Sequence, residues 1–200
     1  TPTSYFVDAA EREKKGGQAF YSCLEYDSEI YFGSGNGRVW CYQKENGQFQ
    51  LQNLPASSRI VSINSVEGNE LIFTTAKDGF FSYQPKTKAI EHFPASRFPN
   101  ASIHSVYVDK ASEVWFEQHI PGTVVHFNPR TRILKHEKVP VEPTSTDRSR
   151  PAFHIHEDIN GVLWVHPYGG GFSYFDRKSN SLHPFYNLSL IHISEPTRRV

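Results

Sequence analysis

The sequence predicts an all-β protein, a β-propeller fragment of about four four-stranded antiparallel blades, and three observations carry that expectation. The first is composition. The 200 residues include 15 Phe, 10 Tyr and 3 Trp beside 13 Gly and 13 Pro, a mixture that reads as many short strands joined by tight turns. The second is a period. Four apolar strand centres, Tyr31, Ile72, Trp115 and Trp164, are separated by 41, 43 and 49 residues, the length of one propeller blade. The third is register. From each centre to an aromatic in the next strand (Tyr42, Tyr83, Phe127, Phe175) the distance is 11, 11, 12 and 11 residues. From that aromatic to the next apolar anchor (Phe49, Ile90, Leu134, Leu182) it is 7 residues every time.

The elements follow in order. The first strand of each unit is expected at 20–25, 60–66, 103–108 and 153–157, and the second holds 30–32, 71–73, 114–116 and 163–165. Turns such as 109–112 and 158–161 join these two strands. The third strand carries the aromatic, the fourth carries the apolar anchor, and the turn segments 44–47, 85–88, 129–132 and 177–180 lie between them. The blades therefore run over about 17–54, 58–94, 101–138 and 152–187. A unit of this kind cannot bury both faces alone, so neighbours stack around an axis and the repeated aromatics fill the space between blades. No segment keeps a helical apolar period over three turns, and a β-sandwich does not repeat its strand pattern so regularly.

Charge excludes one class of partner. Lys+Arg and Asp+Glu are both 21, without the basic excess of a chain that gathers phosphates, so nucleic acid is not an expected partner. No apolar run approaches the ~18 residues of a membrane span. Cys23 and Cys41 form neither a metal-ligand spacing nor a disulfide framework and are read as buried small residues. The chain begins at Thr1 and holds no methionine, so the native start is expected to be missing or processed away. No signal peptide is visible.

The fourth unit reads Ile155-His156-Glu157-Asp158-Ile159-Asn160-Gly161-Val162-Leu163-Trp164-Val165, then Tyr168-Gly169-Gly170-Gly171-Phe172-Ser173-Tyr174-Phe175-Asp176. This resembles the two-component regulator propeller repeat, whose blades run from an acidic-turn-glycine start through a Leu-Trp strand to a Gly-Gly strand ending in an aromatic and Asp. The resemblance spans about 17–187, is closest in the fourth unit and is partial in the second. It implies the periplasmic sensor region of a hybrid two-component system, recognising glycan fragments, within a homodimeric parent. Membrane tethering, a histidine kinase, a receiver and a DNA-binding domain would come from missing downstream segments, and further blades from the remainder of the sensor. The pattern ends at Asn187. The Leu188-Ser189-Leu190-Ile191-His192-Ile193-Ser194-Glu195-Pro196-Thr197-Arg198 stretch resembles a translated sequencing adaptor, and 188–200 are read as a non-native tail.

In a propeller the connections from the second to the third strand, here 33–37, 75–79, 117–122 and 166–171, share one face with those joining successive blades, such as 139–151. Functional residues concentrate on loops held by a rigid scaffold. The candidate ligand-binding residues are Glu117, His119, His166 and Tyr168, with Arg38 and Lys77 as further loop cations. Trp115 and Trp164 sit at the strand centres and are assigned to interblade packing rather than to sugar platforms; Trp40 is left open between the two. His154 and His156 share a face beside Glu157 and Asp158, but no third ligand is identifiable, so neither a metal nor a cofactor is expected. Gly169-Gly170-Gly171 lacks the helix and Lys of a phosphate loop. The leading expectation is a non-catalytic oligosaccharide sensor. The alternatives are a propeller lyase or glycosidase, for which Glu117 is the loop carboxylate to test, and a protein-interaction scaffold.

Overall fold

The computed structural model describes residues 19–139, 153–167 and 171–185. These form four antiparallel sheets of four strands, each in simple sequence order. Blade 1 comprises β1 (Phe20–Tyr26), β2 (Glu29–Ser34), β3 (Val39–Gln43) and β4 (Gln48–Gln52). Blade 2 comprises β5 (Ile60–Val66), β6 (Glu70–Thr75), β7 (Phe80–Gln84) and β8 (Ala89–Phe93). Blade 3 comprises β9 (Val106–Val108), β10 (Val114–Phe116), β11 (Thr123–Asn128) and β12 (Ile133–Lys138). Blade 4 comprises β13 (His154–Glu157), β14 (Leu163–His166), β15 (Ser173–Asp176) and β16 (Ser181–Pro184). Among the described residues there is no α-helix, only one 3-10 turn at Ala95–Arg97 after blade 2.

The repeated register reflects repeated turn chemistry. The fourth residue of every turn between third and fourth strands, Gly47, Lys88, Arg132 and Asn180, has φ of 69, 61, 61 and 51°. In the first three of these turns its amide donates to the carbonyl four residues back, at 2.8–2.9 Å. The left-handed residue closes the loop at a fixed length, which is why the spacing between anchors never varies. In blades 3 and 4 an aspartate organises the turn between first and second strands. Asp109 Oδ1 accepts from the amides of Ala111 and Glu113, while Oδ2 accepts from Trp115 Nε1 at 2.9 Å. Asp158 repeats this with the amides of Asn160 and Val162 and with Trp164 Nε1 at 3.1 Å. One side chain thus shapes the turn and satisfies the indole N–H six residues on.

The core lies between blades. Alternation along each strand sends odd and even positions to opposite faces. Leu71, Phe73 and Tyr83 of blade 2 pack on Tyr31 of blade 1. Val114, Phe116 and Phe127 of blade 3 pack on Ile72, Phe80 and Phe93 of blade 2. Leu163, Val165, Phe175 and Leu182 of blade 4 pack on Trp115 of blade 3. A cation from the later blade closes the lower end of each interface. Lys88 Nζ lies 4.0 Å from Glu29, Arg132 pairs with Glu70 at 2.7 Å and also with Glu91, and Arg177 reaches Asp109 at 3.2 Å.

Three sequence expectations need correction. Cys41 is buried, but Cys23 is exposed, because it lies on the face of blade 1 turned away from blade 2. Trp164 is half-buried where Trp115 is fully buried, because its face of blade 4 points away from blade 3. The first strand of blade 3 begins at Val106 rather than at Ile103. Here the buried Gln118 side chain accepts from the Asn100 amide at 3.0 Å and donates to the Ser102 carbonyl at 2.8 Å. A side chain replaces the strand ladder, and Ile103 stays buried without being in the sheet. Tyr168, Gly169 and Gly170, most of the 139–151 connection and the 188–200 tail lie outside the described residues.

Candidate functional site

The site is built where the loops between second and third strands meet the connections between blades. Glu117 follows β10 directly. Its amide donates to the Ser105 carbonyl at 2.9 Å, and its carbonyl accepts from the His104 amide at 3.3 Å. These bonds carry the sheet past its regular end and hold the loop against the start of β9. Ser105 Oγ donates to Glu117 Oε2 at 2.6 Å, and His119 Nε2 lies 3.2 Å from Oε1. Glu117 therefore aims His119, whose ring lies flat on that of His104 with centroids 3.5 Å apart and planes 7° from parallel. The neighbouring blades add two groups to the same face. Arg59, just before β5, places its guanidinium carbon 5.3 Å from the ring centre of Tyr21 in β1, and Tyr21 is 56% exposed.

The surroundings of His104 disfavour its charged form. Burial, then the adjacent His119 ring, hold the His104 pKa below its ordinary 6.5; Glu117 pulls the other way and Arg59 lowers it further. Because folding lowers this pKa, the unfolded chain takes up the proton first as pH falls. The stability linked to His104 is full above pH 6.5 and is lost as pH drops from 6.5 through its folded-state value. A His104→Ala variant is therefore expected to flatten the stability profile in that window, measured by urea unfolding at stepped pH. An unchanged slope would show that the stack does not couple to protonation.

The sequence candidates divide. Glu117 and His119 are brought together, with His104, Ser105 and Arg59 as partners that sequence reasoning missed. His166 lies on blade 4, stacked on Phe172 with centroids 4.8 Å apart and parallel to His154 at 6.3 Å. Arg38 has its backbone fixed by Ser34, whose Oγ accepts from the Arg38 amide at 2.9 Å and donates to its carbonyl at 2.8 Å. Lys77 is exposed in the blade 2 loop, where its amide donates to Ser58 Oγ at 3.0 Å. Its neighbour Asp78 fixes that loop. Burial alone would raise the Asp78 pKa, but bonds from the amides and hydroxyls of Ser57 and Ser58 outweigh it and hold the carboxyl below its usual range. Gly79 has φ of 85°, and a side chain there would meet the Phe93 carbonyl oxygen at 2.1 Å. Among the described residues no group of three or more His, Cys, Asp or Glu is placed to hold a metal ion.

Beside the His119 loop lies an open cleft of about 530 Å³ between that loop and the connection from blade 2. Phe98, Ile120 and Pro121 give it an apolar floor, and Arg97, His136 and Lys138 line it with cationic or titratable groups. His136 Nε2 donates to the Arg97 carbonyl at 2.9 Å, which ties the outer strand to the connection.

Known structures share this architecture. The extracellular domain of the hybrid two-component system BT4673 from B. thetaiotaomicron matches at TM-score 0.60 and 15% identity, over 88% of this chain and 23% of that one. That of the hybrid two-component system BT3049 from the same organism matches at TM-score 0.58 and 12% identity, over 86% and 25%. Virginiamycin B lyase from Staphylococcus aureus matches at TM-score 0.61 and 14% identity, over 86% and 56%. The chain spans about a quarter of the length of the two extracellular domains. No protein-family model matches the chain, and no curated protein does. The likeness to two-component sensor domains holds in the fold.

Proposed function

We propose that this chain is a non-catalytic, ligand-recognising portion of a periplasmic propeller sensor in a hybrid two-component protein, and that its ligand is an oligosaccharide. The observation that carries the reading is the upper-face cluster to which three successive blades contribute: Tyr21 from the first, Arg59 from the second, and His104, Glu117 and His119 from the third. An exposed aromatic ring suits the face of a pyranose, and imidazole and guanidinium groups suit its hydroxyls. The adjacent cleft gives an extended chain of sugars somewhere to continue, and its cationic groups favour an acidic substituent. In a homodimeric, membrane-tethered parent, such a ligand signals only if it binds two arrangements of the sensor unequally. The sensor neighbours support this reading at the level of fold, and the zero net charge argues against contact with nucleic acid.

The test is calorimetry of the chain against neutral and uronate-bearing oligosaccharides. One member is expected to bind, with affinity falling about tenfold, equivalent to about 1.4 kcal/mol, in His119→Ala and in Arg59→Ala. The lyase neighbour favours a second reading, a glycan-cleaving propeller. Glu117 is poorly suited to act as its base, since both carboxylate oxygens already face donors within the protein. Glycan turnover that disappears in Glu117→Ala would replace the sensor reading with the enzyme. Absence of binding across the panel, with a protein ligand found instead, would replace it with an interaction scaffold.

A further inference from the structure

On the face that carries the His104–His119 stack, two cations stand without counter-ions. Arg59 and Lys77 are exposed, and among the described residues neither has an ion-pair partner. At the other end of the blades the pattern is reversed: Lys88, Arg132 and Arg177 each reach a carboxylate of the preceding blade. The carboxylates in the loops around Arg59 and Lys77 are already engaged. Asp78 accepts from the amides and hydroxyls of Ser57 and Ser58. Glu117 accepts from Ser105 Oγ at 2.6 Å and has His119 Nε2 3.2 Å from its other oxygen. The two cations are left for something outside the protein to neutralise.

A run of backbone bonds fixes these groups relative to one another. The Ala76 amide donates to the Arg59 carbonyl at 2.8 Å, and the Ala76 carbonyl accepts from the Ile103 amide at 3.1 Å. The next residue, His104, donates its amide to the Glu117 carbonyl at 3.3 Å. The buried Gln118 side chain bridges Asn100 and Ser102 just upstream. Arg59, the Lys77 loop, His104 and the loop of Glu117 and His119 are therefore parts of one frame across blades 2 and 3. The charge of Arg59 acts on His104, whose ring stacks on His119. Blades 2 and 3 each pack against a described blade on both sides, so further blades would stack beside the first or the fourth and not over this frame.

We propose that this frame takes the acidic group of an oligosaccharide, a uronate carboxylate or a sulfate ester, at Arg59, Lys77 and the His104–His119 stack, and that binding draws a proton from solvent onto His104. The inference rests on the oligosaccharide reading above and names the class of sugar the site selects. A guanidinium and an ammonium with no carboxylate to meet attract a ligand anion, whereas a neutral sugar leaves both charges as they were. Burial, the His119 ring and Arg59 hold the titration of His104 below 6.5, with Glu117 opposing them. A bound anion offsets the Arg59 charge and adds an attraction of its own, so bound His104 protonates at a higher pH than free His104. By linkage, affinity rises as pH falls through the bound-state value. It levels off once free His104, which titrates below 6.5, is itself protonated.

The test is calorimetry of the 200-residue chain at stepped pH, in buffers of different ionisation enthalpy. The probes are neutral oligosaccharides, each paired with its uronate-bearing and its sulfate-ester counterpart. An acidic member is expected to bind, with its neutral counterpart about tenfold weaker or worse, and the preferred acid identifies the source. The heat should report uptake of a proton, and affinity should gain up to about tenfold for each unit that the pH falls. His104→Gln should keep the preference for the acid and lose the proton uptake. The double variant Arg59→Ala, Lys77→Ala should lose the preference itself. Circular dichroism checks that each variant is folded. A neutral sugar that binds as tightly as its acidic counterpart would overturn the proposal and leave the oligosaccharide reading standing. So would an acid preference that survives in the double variant, or proton uptake that is absent or that survives in His104→Gln. Absence of binding by every sugar would overturn the oligosaccharide reading, and this proposal with it.

Discussion

Replacing Trp115 by alanine is expected to cost about 3–5 kcal/mol of unfolding free energy, the range for removing a buried large aromatic. Trp115 is fully buried between blades 3 and 4. It lies flat on His126, centroids 4.4 Å apart, and meets the Phe175 ring edge-on at 4.9 Å. Nothing nearby can collapse into the space, because both neighbours are fixed in strands of different blades. The indole N–H is also lost as a donor to Asp109. Urea unfolding should show a lower midpoint with an unchanged slope. Trp164→Ala removes the same residue type from the same repeat position and should cost far less, since that side chain is half-exposed. A loss below about 1 kcal/mol for Trp115→Ala, the scale of an ordinary surface substitution, would mean that blades 3 and 4 are not packed as described.

The blades were legible in the sequence because local rules act alike four times over. Two-residue alternation assigns each anchor to a face, and turns of fixed length keep those anchors in step, so Tyr42, Tyr83, Phe127 and Phe175 occupy one structural position. What the pattern could not give is which faces are covered. Cys23 and Trp164 obey the repeat, yet their exposure depends on whether a neighbouring blade is present, and no local signal reports that. The site was half legible. Glu117 and His119 stood out because they replace the small residues usual in that loop. His104 did not, since its stacking partner is 15 residues away across a connection that does not repeat. Gln118, between Glu117 and His119, is a buried brace between two loops. Polar residues at a loop read alike in sequence whether they face solvent or substitute for a missing strand ladder.

Asp109→Ala is expected to be nearly as damaging as loss of the tryptophan, about 3 kcal/mol, on the scale for stripping a buried charged acceptor from its donors. Asp109 is 4% exposed, and four donors converge on it. The amides of Ala111 and Glu113 lie at 2.9 Å from Oδ1, and Trp115 Nε1 and Arg177 Nη2 lie at 2.9 and 3.2 Å from Oδ2. Its removal leaves the indole N–H buried without an acceptor. It also leaves Arg177 with Glu157 at 3.6 Å in place of its closer partner. The turn loses its brace as well, at a point where Ser112 adopts φ of 63°, a conformation that a non-glycine residue holds only when the surroundings enforce it. Asp109→Asn separates these contributions. Its remaining oxygen can still accept from the two amides, but its NH2 group would face both Trp115 Nε1 and Arg177, so a smaller loss is expected. The equivalent Asp158→Ala should cost least, because Trp164 is half-exposed and water can replace the missing oxygen. Urea unfolding of the three variants gives the order. Equal losses for Asp109→Ala and Asp158→Ala would show that the turn geometry alone matters and that the buried indole and guanidinium contribute nothing.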